Sequence, residues 1–318
     1  LSGFHSLTGI SFKHFDQKIK SAIVSFVESG NSISQLDEFI ESIDRHDKGG
    51  YGGNTSCVEV RSKEGQQIII DGGSGLRPLG ASMMQKESFK DASDVHIFMT
   101  HFHWDHLMGI PFFIPLFVPG KRVHFYGVQD TIHTFLDVLF QKPYFPVEKK
   151  DLAAELITHQ IQGREPFHLG DLVITPYLLD HPDPCWGYRV ECGEKSYAHC
   201  VDTECTRMSR KDLGPDLPLY TGADVMTFDA QYSLEEVTAR INWGHSAAAI
   251  GLDIAEREQI KHLIFVHHDP YAPDATIAEQ ISMCQKHQNS LEKQAERRGE
   301  VLYDVRWEYG YDGMKIEV

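Results

Sequence analysis

Residues 100–109 read THFHWDHLMG, so His101, His103, Asp105 and His106 crowd six positions directly after the apolar run VHIFM (95–99). Nitrogen and oxygen donors at that density suit metal ions. In an extended segment residues i and i+2 share a face, so His101 and His103 can reach one ion together. Asp105 and His106 follow in the turn and can point at a second ion beside the first. The pattern differs from HExxH, in which two histidines on one helix face hold a single zinc. A solvated polar run is the plainer alternative, and the strand in front of it argues against that.

Four donors from one turn cannot complete two sites. Three more stand at the ends of apolar segments: His181 after ITPYLLD, Asp202 after YAHCV and His267 after HLIFV. A carboxylate has two oxygens and can touch two cations, which suits Asp202 to a bridging place.

The elements that must carry these donors follow from patterning. SAIVSFVESG (21–30) reads as a strand, followed by a helical or loop segment rich in Asp and Glu. SCVEV and QIIID flank a polar turn within 49–75, the signature of a β-hairpin that ends in the glycine-rich turn DGGSG. Strands are expected at VHIFMT (95–100), KRVHFYG (121–127), DLVITPYLLDH (171–181), GYRVEC (187–192), KSYAHCVD (195–202), ADVMTFDA (223–230) and KHLIFVHH (261–268), with a last strand in EVLYDVRWEY. Helical spacing marks 130–140, 245–258 and about 274–297. GIPFFIPLFVPG (109–120) reads as an apolar loop broken by prolines. Antiparallel pairs followed by βα alternation, in two successive halves, imply an α/β protein with two sheets sandwiched between helices. The donors lie just past strand ends, where α/β folds place their chemistry.

With 30 basic and 46 acidic side chains the chain has a formal charge of −16 and no basic cluster, which argues against an extended nucleic-acid surface. The substrate is expected to be small or bound locally. No apolar run is long enough to span a bilayer, so no membrane association is expected. The start, LSGFHSLTGISFKHF, lacks a basic segment followed by an apolar core, so no secretory leader is visible; its first residue is Leu, and a lost upstream segment is left open. The six cysteines form no CxxC pair, which excludes a zinc ribbon and suits reduced thiols in a cytoplasmic protein.

The ordered set THFHWDH, His181, Asp202 and His267 resembles the metallo-β-lactamase superfamily of αββα hydrolases, over roughly residues 21–318. The resemblance implies a single domain with an αββα four-layer sandwich, and leaves residues 1–20 as an N-terminal extension of unknown role. It implies that His101, His103 and His181 hold one divalent ion, that Asp105, His106 and His267 hold a second, and that Asp202 bridges them. Zinc is expected, with manganese or iron as alternatives. A hydroxide shared by the two cations would be the nucleophile. DGGSG looks like the superfamily's early Asp-x-Gly turn, with Asp71 as a structural support. The matching family segment ends a strand in His, then a variable residue, then Asp-Pro. That favours His267 over His268 as ligand and leaves His268 to the substrate or to a supporting contact.

True β-lactamases usually carry Cys where Asp202 stands, and glyoxalase II-like thioesterases show a TPGHTxG-type motif. LLDHPDPCWGYRVE (178–191) instead resembles the phosphodiesterase branch that includes ribonuclease Z. WGHSAAAIGLDIAE (243–256) is similar to that branch's Gly-His-Ser-Thr signature, with Ala247 in place of Thr. Ser246 would cap a helix whose N–H groups suit a phosphate. His245 would bind a non-bridging oxygen or protonate the leaving alkoxide. Asp105 and His245 are thus the expected catalytic residues, and His245, Ser246 and His268 the expected substrate contacts. The basic flexible arm of ribonuclease Z itself is not found. GGYGGNTSCVEV, FDAQYSLEE and the 109–170 region resemble a related bacterial group described as metal-dependent phosphodiesterases or hydrolases. This chain departs from it at FVESGNSIS (26–34), where that group usually has a turn with glycine and arginine.

Trp104, Phe112, Phe113, Phe117, Tyr144 and Phe145 could line a mouth that stacks on a base; the plainer reading is core or a subunit interface, as in a homodimer. Tyr188 and Arg189 read as structural, although Arg189 could pair a phosphate. His96, His124, His168 and His199 lack ligand spacing and read as core or surface residues. The leading expectation is a dinuclear hydrolase of phosphodiesters, cyclic nucleotides or short nucleic-acid ends. Thioester or lactone hydrolysis, and a non-catalytic di-iron redox or gas sensor, are the alternatives.

Overall fold

The computed structural model describes residues 12–43, 50–86, 89, 94–206, 209–269 and 272–318. Most of the expected N-terminal extension, residues 1–11, and Pro270 of the Asp-Pro step therefore lie outside the described residues.

The first described element corrects the strand expected at 21–30. Helix α1 runs Phe12–Glu28, continuous across the expected boundary at residue 20, and a short helix α2 (Leu36–Ser42) follows. The β-branched run suggested a strand, but the side chains that turn inward recur every fourth residue, at Lys18, Ala22 and Phe26. Lys18 pairs with Asp274 at 2.5 Å, and Phe26 meets Phe39 edge-on at 5.1 Å between centroids. Ile23, Val24 and Val27 remain exposed.

Twelve strands build two sheets among the described residues. The first contains β1 (Val58–Arg61), β2 (Gln67–Ile70), β3 (Asp94–Phe98), β4 (Arg122–Gly127) and β5 (Glu155–Gln160), in that order. The expected hairpin is β1–β2, and β2 to β5 run parallel. The second sheet has the order β12–β11–β10–β9–β8–β7–β6. Its members are β6 (Phe167–Leu169), β7 (Leu172–Leu178), β8 (Trp186–Cys192), β9 (Lys195–Cys200), β10 (Val225–Asp229), β11 (His262–Val266) and β12 (Arg306–Tyr309). β9 to β12 are parallel and the β6–β9 half is antiparallel. Neither β5 nor β6 was expected.

Alternation along the strands builds the layers. Ile68, Ile70, Phe98 and Tyr126 face Ile174, Tyr188, Val190 and Ile264 in a core between the sheets. Ile69, Ile97, Val123 and Phe125 point the other way, under helix α3 (Leu76–Met84) and the 3₁₀ turns of 110–117, which carry Ile110, Phe113 and Leu116. On the far side Met226, Phe228, Leu263 and Phe265 pack beneath helices over Ala248–Glu258 and Asp274–Arg298. The result is the expected αββα sandwich.

Candidate metal centre

The donors gather at the carboxyl ends of the parallel strands. After β3 the chain passes Met99 and Thr100 to His101, and a single helical turn, α4 (Trp104–Leu107), carries Asp105 and His106. This turn is laced to the glycine-rich turn after β2. Gly72 N–H donates to the His106 carbonyl at 2.8 Å and Gly109 N–H to the Gly72 carbonyl at 2.9 Å. A Cβ on Gly109 would stand 1.9 Å from the Gly73 carbonyl oxygen, so only glycine permits that approach. Asp71, Asp202 and His267, each just past a strand end, have φ of 63°, 62° and 62°. A non-glycine residue in the left-handed region costs about 1–3 kcal/mol and is typical of functional sites.

Three overlapping groups of donors result; the third joins Asp229 and His245 to Asp202 and His267, and the other two carry the expected ligands. One ligand atom from each of His101, His103, His181 and Asp202 lies within 4.8 Å of the others, and the same holds for Asp105, His106, Asp202 and His267. Asp202 belongs to both. Its Oδ2 is 3.2 Å from His101 Nε2 and 2.9 Å from His106 Nε2, while Oδ1 is 2.9 Å from His267 Nε2.

Every one of the five imidazoles is held by the nitrogen that points away from the cluster. His106 Nδ1 meets Asp71 Oδ2 at 2.7 Å, and His101 Nδ1 meets Thr100 Oγ1 at 3.1 Å. His267 Nδ1 meets Gln231 Oε1 at 3.0 Å and His181 Nδ1 the Asp183 carbonyl at 2.9 Å. His103 is the exception in atom, held through Nε2 by Asp183 Oδ2 at 2.9 Å. Four rings thus offer Nε2 and one offers Nδ1. Fully buried Nε2 atoms of His101 and His106, and Oδ1 of Asp202, have no hydrogen-bond partner. Orphaned buried donors of this kind fit a bound cation, and oriented imidazoles fit it further.

Charge balance agrees. Burial opposes ionisation of Asp105 and Asp202, yet the facing His106 and His267 outweigh it and hold both carboxyls well below the usual range. Burial equally opposes protons on His106 and His267, but Asp202 and its neighbours raise both well above the ordinary histidine value. The acids demand positive charge, and a cation would compete with those protons for the same place. His101 is pushed by burial and by His106 down to about 4, so its lone pair is available at neutral pH. Asp71 supports from below: Thr100 donates to it through backbone and hydroxyl, and Ser56 through its hydroxyl.

Beside the cluster the His245 ring stacks on that of His267, with centroids 5.0 Å apart and planes 23° apart. Asp229, at the end of β10, accepts from His245 Nδ1 at 2.9 Å. Sequence reasoning missed Asp229, Asp183 and Gln231. The rule that found Asp202, an acid at a parallel strand's end, also finds Asp229. Asp183 and Gln231 carry no such signal.

Two expected substrate roles change, and the structural reading of Arg189 holds. The residue before the first turn of the Ala248–Glu258 helix is Ala247, not Ser246. Ser246 is fully buried; its N–H donates to Asp229 Oδ1 at 3.1 Å and its hydroxyl to the Glu204 carbonyl at 3.4 Å. Its hydroxyl therefore serves the loop, not a helix end. His268 points away from the donors, stacked on Tyr309 with centroids 5.5 Å apart and donating through Nε2 to the Gly310 carbonyl at 3.0 Å. Arg189 is occupied by Glu191 and by the carbonyls of Pro218 and Thr221, as a structural residue. The aromatic group divides: Phe113 is core and Phe145 packs edge-on against Phe112, whereas Trp104, Phe112, Phe117 and Tyr144 are exposed.

Residues 66–268 match the family model of the beta-lactamase superfamily domain. Ribonuclease Z of Pyrococcus horikoshii is 28% identical over 128 residues, 39% of this chain and 38% of that protein. Ribonuclease Z of Staphylococcus carnosus is 25% identical over 195 residues, 58% of each chain. The chain therefore spans between about two fifths and three fifths of the length of these curated relatives. A solved diphosphatase of the PhnP family is similar in fold, with TM-score 0.56 and 20% identity over 87% of this chain and 88% of that one.

Proposed function

The chain belongs to the beta-lactamase superfamily, and on that premise we propose that it is a dinuclear metal-dependent hydrolase of phosphodiesters, with a small or short substrate such as a cyclic nucleotide or a nucleic-acid end. His101, His103 and His181 would hold one divalent ion, Asp105, His106 and His267 the other, with Asp202 between them. Such a pair of cations supplies an acidified water and neutralises charge on a phosphoryl group. Ribonuclease Z, the name carried by the relatives above, points to the same bond type.

The observation that carries the reading is the pair Asp229–His245. Asp229 takes Nδ1, so Nε2 is the atom left to meet a substrate beside the donor cluster. A buried carboxylate on Nδ1 fixes the orientation of the ring, which makes His245 fit to bind a phosphoryl oxygen and to pass a proton to a leaving alkoxide. Trp104 and Trp243 are each more than three fifths exposed and neighbour donors or His245 in sequence, so they offer faces for a base.

Hydrolysis by the purified chain, reloaded with zinc or manganese, tests this against a panel of 2′,3′- and 3′,5′-cyclic nucleotides, dinucleotides, thioesters and lactones. Faster turnover of the thioesters or lactones would overturn the phosphodiester reading. Two irons per chain with an oxygen-dependent absorption band and no hydrolysis would favour the sensor. Among the described residues no helix is long and apolar enough to cross a membrane.

A further inference from the structure

We infer that Asp183 is a positioning residue that builds the first of the two metal positions, an inference that rests on the two-ion reading above. It stands two residues after His181 in HPDPC and reaches two imidazoles at once. Its carboxylate Oδ2 lies 2.9 Å from His103 Nε2, and its backbone carbonyl lies 2.9 Å from His181 Nδ1.

The two contacts select opposite nitrogens. A carboxylate accepts and cannot donate, so His103 must carry its proton on Nε2 and present the bare Nδ1 lone pair. His181 Nδ1 faces the Asp183 backbone, its carbonyl at 2.9 Å and its N–H at 3.2 Å, so that nitrogen is engaged and Nε2 is left toward the donors. The arrangement is what neighbouring rings need. His101 and His103 are two apart with centroids only 4.4 Å apart, and each reaches a shared ion on a different arm: His101 through the longer Nε2, His103 through the shorter Nδ1. The Asp183 carboxylate meets the far side of the His103 ring and belongs to neither donor group, so it orients a ligand and is not one.

Exposure sharpens the point. The Asp183 side chain is 69% exposed at the mouth of the site. There an acid repels an anionic substrate and gains nothing from packing. Among the described residues its only hydrogen-bonding role is toward these two histidines. The second position is built differently, with His106 held from a fully buried Asp71 and His267 from Gln231. Loss of Asp183 should therefore weaken one position and spare the other. The carboxylate and carbonyl contacts also separate cleanly, since a change at Asp183 that keeps the backbone removes only the grip on His103.

The test is a zinc titration of the full chain against a competing chelator, with imidazole nitrogens followed by ¹⁵N NMR. Asp183→Ala is expected to lose affinity at one position by about 10- to 100-fold, so that one ion per chain remains where the wild-type chain holds two. Asp183→Asn keeps an accepting oxygen and is expected to recover most of that loss. In the wild-type loaded chain His103 is expected to coordinate through Nδ1 with a proton on Nε2. Asp183→Ala holding two ions at wild-type affinity, or His103 bound through Nε2, overturns the inference alone. A wild-type chain that takes up no second ion overturns the two-ion reading and the inference with it.

Discussion

Asp229 and His245 are joined at 2.9 Å, Oδ2 to Nδ1, and the same fully buried carboxylate accepts the backbone N–H of Asp202 at 3.2 Å. Its other oxygen accepts from Gln231 N–H and Ser246 N–H, both at 3.1 Å. One carboxylate thus fixes His245, the His245–Ser246 loop and the backbone of the residue shared by both donor groups. Orientation of the candidate acid and placement of the candidate bridging ligand have a common origin in the end of β10.

Replacing His245 by Ala should lower kcat for a phosphodiester by about 10²- to 10⁴-fold, the usual worth of a positioned proton donor. Metal content should stay at the wild-type level, because His245 belongs to neither of the two groups that carry the seven expected ligands. Asp229→Asn should lower kcat too, by turning the imidazole or removing its counter-charge. Asp229→Ala should also destabilise the fold by about 3 kcal/mol or more, since buried N–H groups lose their acceptor. Turnover by His245→Ala equal to wild type removes the proposed role.

The sequence made the donor set legible because each member sits where a strong pattern ends. Apolar alternation locates β3, β9 and β11, and the next polar residue capable of ligation is His101, Asp202 or His267. What escaped was whatever depends on a fold-level neighbour. Asp183 lies 80 positions from His103 in the chain, and nothing local ties them. Ser246 looked like a cap because Ser before an alanine run usually is one, but Asp229 and Glu204 claim it first. In α1 the β-branched residues lie on the solvent side, so their run carries no packing information, while among the described side chains the inward face is marked only by Lys18, Ala22 and Phe26. β6 is three residues long and β5 is half-buried along most of its length, too little for alternation to show.

Chelation should cost stability as well as activity. Each ion held at about a thousand times its Kd contributes roughly 4 kcal/mol to folding. Two such ions should raise Tm by on the order of 10 °C. Asp202→Ala should abolish most of that rise, because it removes the residue common to both donor groups. Thermal denaturation with zinc and with excess chelator checks it. Equal metal-dependent rises for wild type and Asp202→Ala would mean that ions bind elsewhere.

Gly244→Ala should damage the first metal position from the opposite side. Gly244 has φ +85°, and a Cβ there would stand 2.2 Å from His181 Cδ2. The left-handed backbone alone costs about 1–2 kcal/mol for alanine. The clash is relieved most easily by moving His181, so ion affinity at that position should fall while the chain still folds. Chelator competition and a far-ultraviolet melt separate the two effects; unaltered affinity in a folded variant would contradict the contact.

Away from the centre, His96 sets a pH window. It stacks on His124 at 4.9 Å and shares a hydrogen bond with Tyr126 at 2.9 Å; His159, Asp94 and Arg122 complete its charged surroundings. Burial, then the neighbouring His124, push it down to about 4 from an ordinary 6.5. The unfolded chain therefore binds this proton more readily between those values, and stability rises with pH across the window. The contribution is fully present above pH 6.5 and is lost as pH falls toward 4. His96→Phe keeps the stack without the titration, so its denaturation midpoint should fall less steeply on acidification. Parallel slopes for the two chains would place the acid sensitivity elsewhere.

Trp104 and Trp243 give the most direct reading of substrate class. Trp104 separates His103 from Asp105, and Trp243 precedes Gly244, which lies against His181, so both lie along the His103–His181 side of the centre. Both rings are left largely in solvent, at 63% and 64% exposure, which costs apolar contact with water and is unusual for the largest side chain. Stacking on a base is worth about 1–3 kcal/mol per aromatic ring. Each Trp→Ala change should therefore raise KM for a cyclic nucleotide or dinucleotide by about tenfold while kcat stays within a few-fold. A phosphodiester with only alkyl groups has no face to stack and should show no KM change in either variant. Quenching of tryptophan fluorescence by a nucleoside monophosphate should weaken in parallel. A KM rise of equal size for the alkyl substrate would mean that the tryptophans shape the pocket without recognising a base.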